Sequence, residues 1–263
     1  MHLLRSTLRE LPSYLWSGWG AICSLLLLMA AWQLVSELYG SLVLAQPLEA
    51  FASFKHLWNN QTLPEALIIT GRRALSGLLL ALGLGTGLGL LAGVSVTAAM
   101  MSRPLVTVLL GMPPIAWLVL AMLWFGASDG TPIFTVFVAT FPMVFIGALQ
   151  GARTVDNQLN EMAQTLQLPK RMMLFDVYLP HVFSYLFPAW VAALGMSWKI
   201  VVMAELLANQ DGVGASLAVA RSHLDSAASM AWIVAIVLLL LGIEYLFLEP
   251  IKRQVERWRV TEA

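Results

Sequence analysis

Five stretches of this chain contain no Asp, Glu, Lys or Arg: residues 11–36, 74–102, 104–128, 130–152 and 226–243. A helix rises about 1.5 Å per residue, so about 20 mostly apolar residues cross the hydrocarbon core of a bilayer. Each run is long enough for one crossing, or nearly so. A sixth apolar stretch, 183–208, is interrupted only by Lys199 and Glu205. A membrane β-barrel would instead show segments of roughly ten residues that alternate in polarity. These runs do not alternate, and helices satisfy their own backbone in lipid. The chain therefore reads as an all-α membrane protein with about six spans. Composition agrees: 11% of its 263 residues are charged and 59% are hydrophobic, whereas an ordinary globular domain carries about 25% charge.

The spans are expected at 17–37, 74–98, 105–125, 133–150, 183–208 and 227–247. Arg5 and Arg9 precede the first apolar run as they would in a signal peptide. That run is longer than a 7–15 residue signal core, so it reads as an uncleaved span. Six spans put both termini on one side, and the positive-inside rule selects the cytoplasm. In that orientation ten Lys and Arg residues, among them Arg103, Arg153, Lys170, Arg171 and Lys252, lie inside, and Lys55, Arg72, Arg73 and Arg221 lie outside. The stretch 37–73 is then an outer segment with a short helix ending near Arg73. The stretch 151–181 is the longest cytoplasmic connection, and loops of that length usually carry structure or function of their own. All of 1–263 reads as a single transmembrane domain.

Several chemistries are excluded by what the sequence lacks. None of the four lysines, Lys55, Lys170, Lys199 and Lys252, follows a glycine, so no phosphate-cradling loop of an ATPase exists here. The four histidines are scattered and no HExxH occurs, so no metal site is expected. Net charge is zero, which leaves no basic footprint for nucleic acid. Cys23, the sole cysteine, lies in the first apolar run and has no disulfide partner in the chain.

Within the spans, Gly85, Gly89 and Gly93 recur every fourth residue and share one helix face, where small residues admit a close neighbour. Pro113-Pro114 sits near the middle of the third span. Proline removes a backbone bond, so this is either a packing kink or an irregular segment lining a path. Lys199 and Glu205 are six residues apart, about 120° around the helix. Charges in a span tend to face the bundle interior or a cavity. Lys199 reads as an interior residue, and Glu205 as either a gate or an interfacial carboxylate that reaches water. In the inner loop, Leu159, Met162, Ala163 and Leu166 recur at three-to-four spacing, giving a short helix with one apolar stripe, capped by Asp156 or Asn157 and stopped by Pro169.

Glu161-Met162-Ala163, Leu166, Phe175 and Val177-Tyr178-Leu179-Pro180 together resemble the EAA loop of ABC-importer permeases. Pro114-Ile115-Ala116-Trp117-Leu118 and Leu123-Trp124-Phe125-Gly126 resemble the third span of the nitrate/sulfonate/taurine group. Ser197-Trp198-Lys199, Ala204-Glu205-Leu206-Leu207 and the Gly212-Val213-Gly214 that follows resemble its fifth span. Three positions depart from that pattern: Met162 stands for Ala, Gln167 for the loop glycine, and Val119 for a proline.

The resemblance implies a type I importer permease of MetI-like fold, with core 62–250, cytoplasmic coupling loop 151–181, and both termini cytoplasmic. It implies that Glu161, Met162, Ala163, Leu166 and Leu168 contact an ATPase, and that Met112, Pro113, Trp117, Trp198, Lys199 and Glu205 line or gate the path. It implies two ATP-binding cassette subunits carrying ATP and Mg, with no cofactor or catalysis on this chain. The remaining implied partners are a periplasmic or lipid-anchored binding protein, a second copy of the chain, and the lipid of a bacterial inner membrane. The alternative is a carrier or channel that works without ATP.

Overall fold

The computed structural model describes residues 23–41, 43–154 and 169–248. Nine helices of ten or more residues run through these residues: α1 (Cys23–Tyr39), α2 (Pro47–Asn59), α3 (Thr62–Val94), α4 (Val96–Gly111), α5 (Pro114–Phe125), α6 (Gly130–Arg153), α7 (Leu179–Ala208), α8 (Val213–Ser222) and α9 (Ser226–Gly242). A π-helical turn, Met173–Tyr178, leads into α7, and another, Ile243–Leu248, follows α9. The described residues contain no strand. Four helices are long and apolar enough to cross a membrane: α3, α6, α7 with its π turn, and α9. A fifth crossing is formed if α4 and α5 count as one bent span, and α1 is a shorter apolar helix. The loop residues Glu161, Met162, Ala163, Leu166 and Leu168 lie outside the described residues.

Helix boundaries differ from expectation at three places, one of them α4, which begins at Val96 and not at 105. The second span begins at Thr62, not at 74, and no short helix ends at Arg73. Instead α2 closes at Asn59, the chain turns through Gln61 at φ 63°, and α3 runs for 33 residues. That length is about 50 Å, against about 30 Å of hydrocarbon, so the polar end of α3 extends beyond the apolar layer. Arg73 lies 21 residues before Val94, about 32 Å, and so falls at the boundary. The helix preceding Ala208 likewise starts well before residue 183, with Lys170–Met172 and the π turn continuous into α7.

The bundle core is α3, α6 and α7, each packed on the other two. The glycine face of α3 explains how closely α6 approaches. A Cβ at Gly89 would stand 2.5 Å from the Phe145 carbonyl and 2.6 Å from Ala148 Cβ. A Cβ at Gly85 would meet Val144, and one at Gly93 would meet Ala152. Gly77 continues the same seam against Ile133 and Val136. By contrast Gly83 and Gly87 face open space, so the seam is one stripe of the helix. Thr135 and Thr140, fully buried on α6, return their hydroxyls to the carbonyls of Thr131 and Val136.

The α4–α5 pair obeys a local rule. A residue before proline is driven out of the α region. Met112 precedes Pro113, and Pro113 precedes Pro114, so both adopt extended backbone, with ψ of 128° and 143°. The helix stops at Gly111 and restarts with Pro114 at its first position, where a missing N–H costs nothing. The two pieces are bent by 92°. This is a full break between two helices, not a packing kink. α5 rests on α6, and its Leu118 packs with Ala204 and Ala208 of α7.

Candidate functional site

The starts of α3, α6 and α9, the end of α7 and the whole of α8 gather at one end of the bundle. Arg73 of α3 is at their centre, 1% exposed. A guanidinium has five N–H donors, and all five are used here. Nε donates to Asp129 Oδ1 at 2.8 Å, and Nη2 donates to the same oxygen at 2.5 Å. The remaining Nη2 proton goes to Asp211 Oδ1 at 2.5 Å. Nη1 donates to Glu205 Oε1 at 2.9 Å and to the Asp211 carbonyl at 2.8 Å. Arg72 joins from outside, its Nη2 2.5 Å from Asp129 Oδ2.

Glu205 has no exposed surface, so it does not reach water at an interface. Its Oε2 accepts from Thr70 Oγ1 at 2.7 Å and from the Gly214 N–H at 3.2 Å. Thr70 Oγ1 in turn accepts the Val213 N–H at 2.9 Å. A buried charge is tolerable only when paired and hydrogen-bonded, and both oxygens of Glu205 meet that requirement. Gly212 and Gly214 are required by this carboxylate. Gly212 has φ 98°, and a Cβ there would overlap the Glu205 carboxyl group. A Cβ on Gly214 would run into Val202, Leu206 and Glu205 Cβ. The Gly-x-Gly step lets the chain turn tightly over its own preceding helix and start α8.

Asp129, at the start of α6, lies outside the spans with its side chain 42% exposed. The hydrogen bond from Arg73 holds its carboxyl below the usual Asp range. Partial burial opposes that shift, and the charges of Arg73 and Arg72 add to it. Its carboxylate is occupied by arginine, so it does not cap α6. Among the described residues no cluster of His, Cys, Asp or Glu could hold a metal ion. The cation amid Asp129, Glu205 and Asp211 is Arg73 itself.

The path residues expected from sequence are not brought to one point. Glu205 is in the Arg73 cluster. Lys199 is exposed on another face of α7, with no ion pair or hydrogen bond to any described residue. Trp198 is half-buried, its ring lying where a Cβ on Gly71 would be 3.5 Å away, beside Val136 and Ile200. Met112 and Pro113 form the break itself, and Trp117 follows one turn later with its indole N–H buried and without a hydrogen-bond partner among the described residues. Sequence reasoning missed Arg73, Asp129, Asp211 and Thr70. One signal was present: Asp129 is the lone charge between two uncharged runs.

A groove of about 450 Å³ opens beside the cluster between α3 and α8. Glu65, Gln210, Asp211 and Ser216 form its polar part, over an apolar floor that includes Ala66, Ala220 and Trp232.

Sequence comparisons agree with this architecture. The chain is 30% identical over 235 residues to the "Putative aliphatic sulfonates transport permease protein SsuC" of Bacillus subtilis (strain 168), covering 88% of this chain and 84% of that protein. It is 26% identical over 245 residues to the "Taurine transport system permease protein TauC" of Escherichia coli (strain K12), covering 90% and 89%. It is 32% identical over 143 residues to the "Nitrate import permease protein NrtB" of Leptolyngbya laminosa, covering 54% and 51%. Residues 85–251 match the family described as "Binding-protein-dependent transport system inner membrane component". With its apolar spans and all-helical core, the chain is a multi-pass membrane protein that belongs to this family of ABC transporter permeases.

Proposed function

We propose that the chain is the path-forming subunit of an ATP-driven importer for a small oxyanion, working as a two-fold pair in a bacterial inner membrane. Two separate ATP-binding cassette subunits, holding ATP and Mg, would dock on the cytoplasmic loop through Glu161, Met162, Ala163, Leu166 and Leu168. A periplasmic or lipid-anchored binding protein would deliver solute to the end of the bundle that holds Arg73. That end is the outer one under the charge bias of the loops.

The observation that carries the substrate class is Lys199. It is exposed and unpaired among the described residues, on a helix whose other charge in the apolar stretch is buried. A charge at such a position marks a solute path by default. The relatives are named for sulfonates, nitrate and taurine, solutes that share a negatively charged oxygen group. Across a two-fold axis, one Lys199 from each copy would supply two cations to the path, and Met112 and Pro113 at the α4–α5 break would line it elsewhere. Trp117 and Trp198 would narrow it, and Glu205 would act near its outer gate through the cluster it belongs to.

Two measurements test this reading. Tagged chain extracted in mild detergent should carry an ATP-binding subunit that Glu161→Ala with Met162→Asp removes. In vesicles, Lys199→Met should abolish uptake of the delivered oxyanion while assembly is unchanged. Full uptake by Lys199→Met would sink the anion path. Absence of any ATPase from the wild-type preparation would sink the importer and favour a stand-alone carrier or channel.

A further inference from the structure

Arg73 does more than neutralise Glu205. A single carboxylate would pair it, yet its donors are divided among three carboxylates from separate segments, at residues 129, 205 and 211. Two of these belong to turns: Asp129 ends the α5–α6 turn and Asp211 lies in the α7–α8 turn. Both carboxylates are substantially exposed, at 42% and 58%. Water could therefore solvate them, and their own burial does not oblige them to meet. One other direct bond between the turns is present, Asn209 Nδ2 to the Ser128 carbonyl at 3.2 Å, and it is exposed. A buried ion pair is a poor source of stability compared with apolar residues of equal volume. Retaining one, with every donor used, fits a device that fixes geometry.

The turns joined in this way adjoin the segments that would have to move. The α5–α6 turn continues the broken helix pair, and the α7–α8 turn continues the helix that carries Lys199. We propose that Arg73 is a positioning residue for transport: it clamps the α5–α6 turn to the α7–α8 turn, so that this end of the protomer moves as one body and bending falls on the Met112–Pro113 break. The inference rests on the importer reading only for what the motion serves. Interfaces and packed cores switch between discrete arrangements and do not deform continuously. A clamp at one end and an extended two-residue break partway along the α4–α5 pair give such a body one rigid end and one hinge.

The test uses the complete transporter in nanodiscs. Cys23 is the only cysteine, so Cys23→Ser provides a background for labelling. Spin labels are placed at the exposed positions Ala127 and Gln210, one in each turn, through Ala127→Cys and Gln210→Cys. With the clamp intact, dipolar broadening between the labels stays the same with and without ATP. Asp129→Asn and Asp211→Asn, whose carboxylates are exposed and whose loss leaves the fold standing, should reduce the broadening when ATP is added. They should also raise ATP hydrolysis in the absence of the delivery protein several-fold. Broadening that changes on ATP addition in the unsubstituted clamp overturns the proposal. So does broadening in both Asn variants that matches the parent in each state. Should the chain assemble with no ATPase, the importer reading fails, and the label comparison at rest between parent and Asn variants still decides whether the turns are clamped.

Discussion

The α3–α6 seam and the α4–α5 pair are built from similar apolar residues and behave oppositely. Along the seam, Gly77, Gly85, Gly89 and Gly93 leave no room for a Cβ against α6, so the two backbones approach closely at four points. In the α4–α5 pair, consecutive prolines interrupt the backbone. Large side chains such as Leu105, Ile115, Val119 and Leu123 remain half or more exposed. In water such exposure would be a liability, but in lipid it costs little, because association of helices there depends on close packing and not on hiding apolar surface. Contact quality, not hydrophobicity, separates the closely packed part of this molecule from the loosely packed one.

The largest expected loss comes from opening the Arg73 cluster that holds the closely packed part at its polar end. Glu205→Ala leaves a buried guanidinium short of a partner and should cost about 3–5 kcal/mol. Thermal unfolding of the detergent-solubilised chain would register it, and Glu205→Leu with Arg73→Met should regain most of that loss. Next is the seam. Gly89→Leu forces α6 away and should cost about 1–3 kcal/mol or more. Gly87→Leu, on the open face of the same helix, should shift stability by less than about 0.5 kcal/mol. Equal effects at Gly87 and Gly89 would remove the basis of the comparison.

A smaller effect is pH-dependent. Because Arg73 lowers the pKa of Asp129, the unfolded carboxyl binds protons more readily than the folded one. Its stabilisation is complete above the ordinary Asp value and fades as pH falls through the lowered one. The thermal midpoints of wild type and Asp129→Asn should differ at pH 7 and draw together below about pH 4. A gap that persists unchanged in acid would mean that the carboxylate charge is not what matters. Smallest of all, Leu123→Ala on α5 removes a side chain 79% exposed and should leave the midpoint within about 0.5 kcal/mol of wild type.

Three uncharged runs overlap the spanning helices α3, α6 and α9, because an apolar layer excludes charge there. They placed the ends badly. Thr62 to Arg73 is helical although it includes Glu65, Arg72 and Arg73, since this part of α3 rises past the hydrocarbon. The break at Met112 could be read directly, because proline acts on its immediate neighbour. The glycine face of α3 could be read too, though not its partner. The role of Arg73 could not be read, since its carboxylates lie 56 to 138 residues away in sequence. Gly212-Val213-Gly214 was visible as a motif, but the reason for it, the Glu205 carboxyl group beneath, appears only once α7 and α8 are folded together.

The same separation bears on how the chain is made. Arg73 is synthesised 132 residues ahead of Glu205, and Asp129 and Asp211 also follow it. When α3 first leaves the ribosome, none of the three carboxylates that bind Arg73 in the folded chain has yet been made. A lone arginine resists entry into hydrocarbon, so the newborn helix must keep that end in the headgroup region or in the shelter of the insertion machinery. Its guanidinium gains the full set of carboxylates only once α7 has brought Glu205 and the turn after it has brought Asp211. The order of translation thus makes the last third of the chain responsible for completing the first helix of the core.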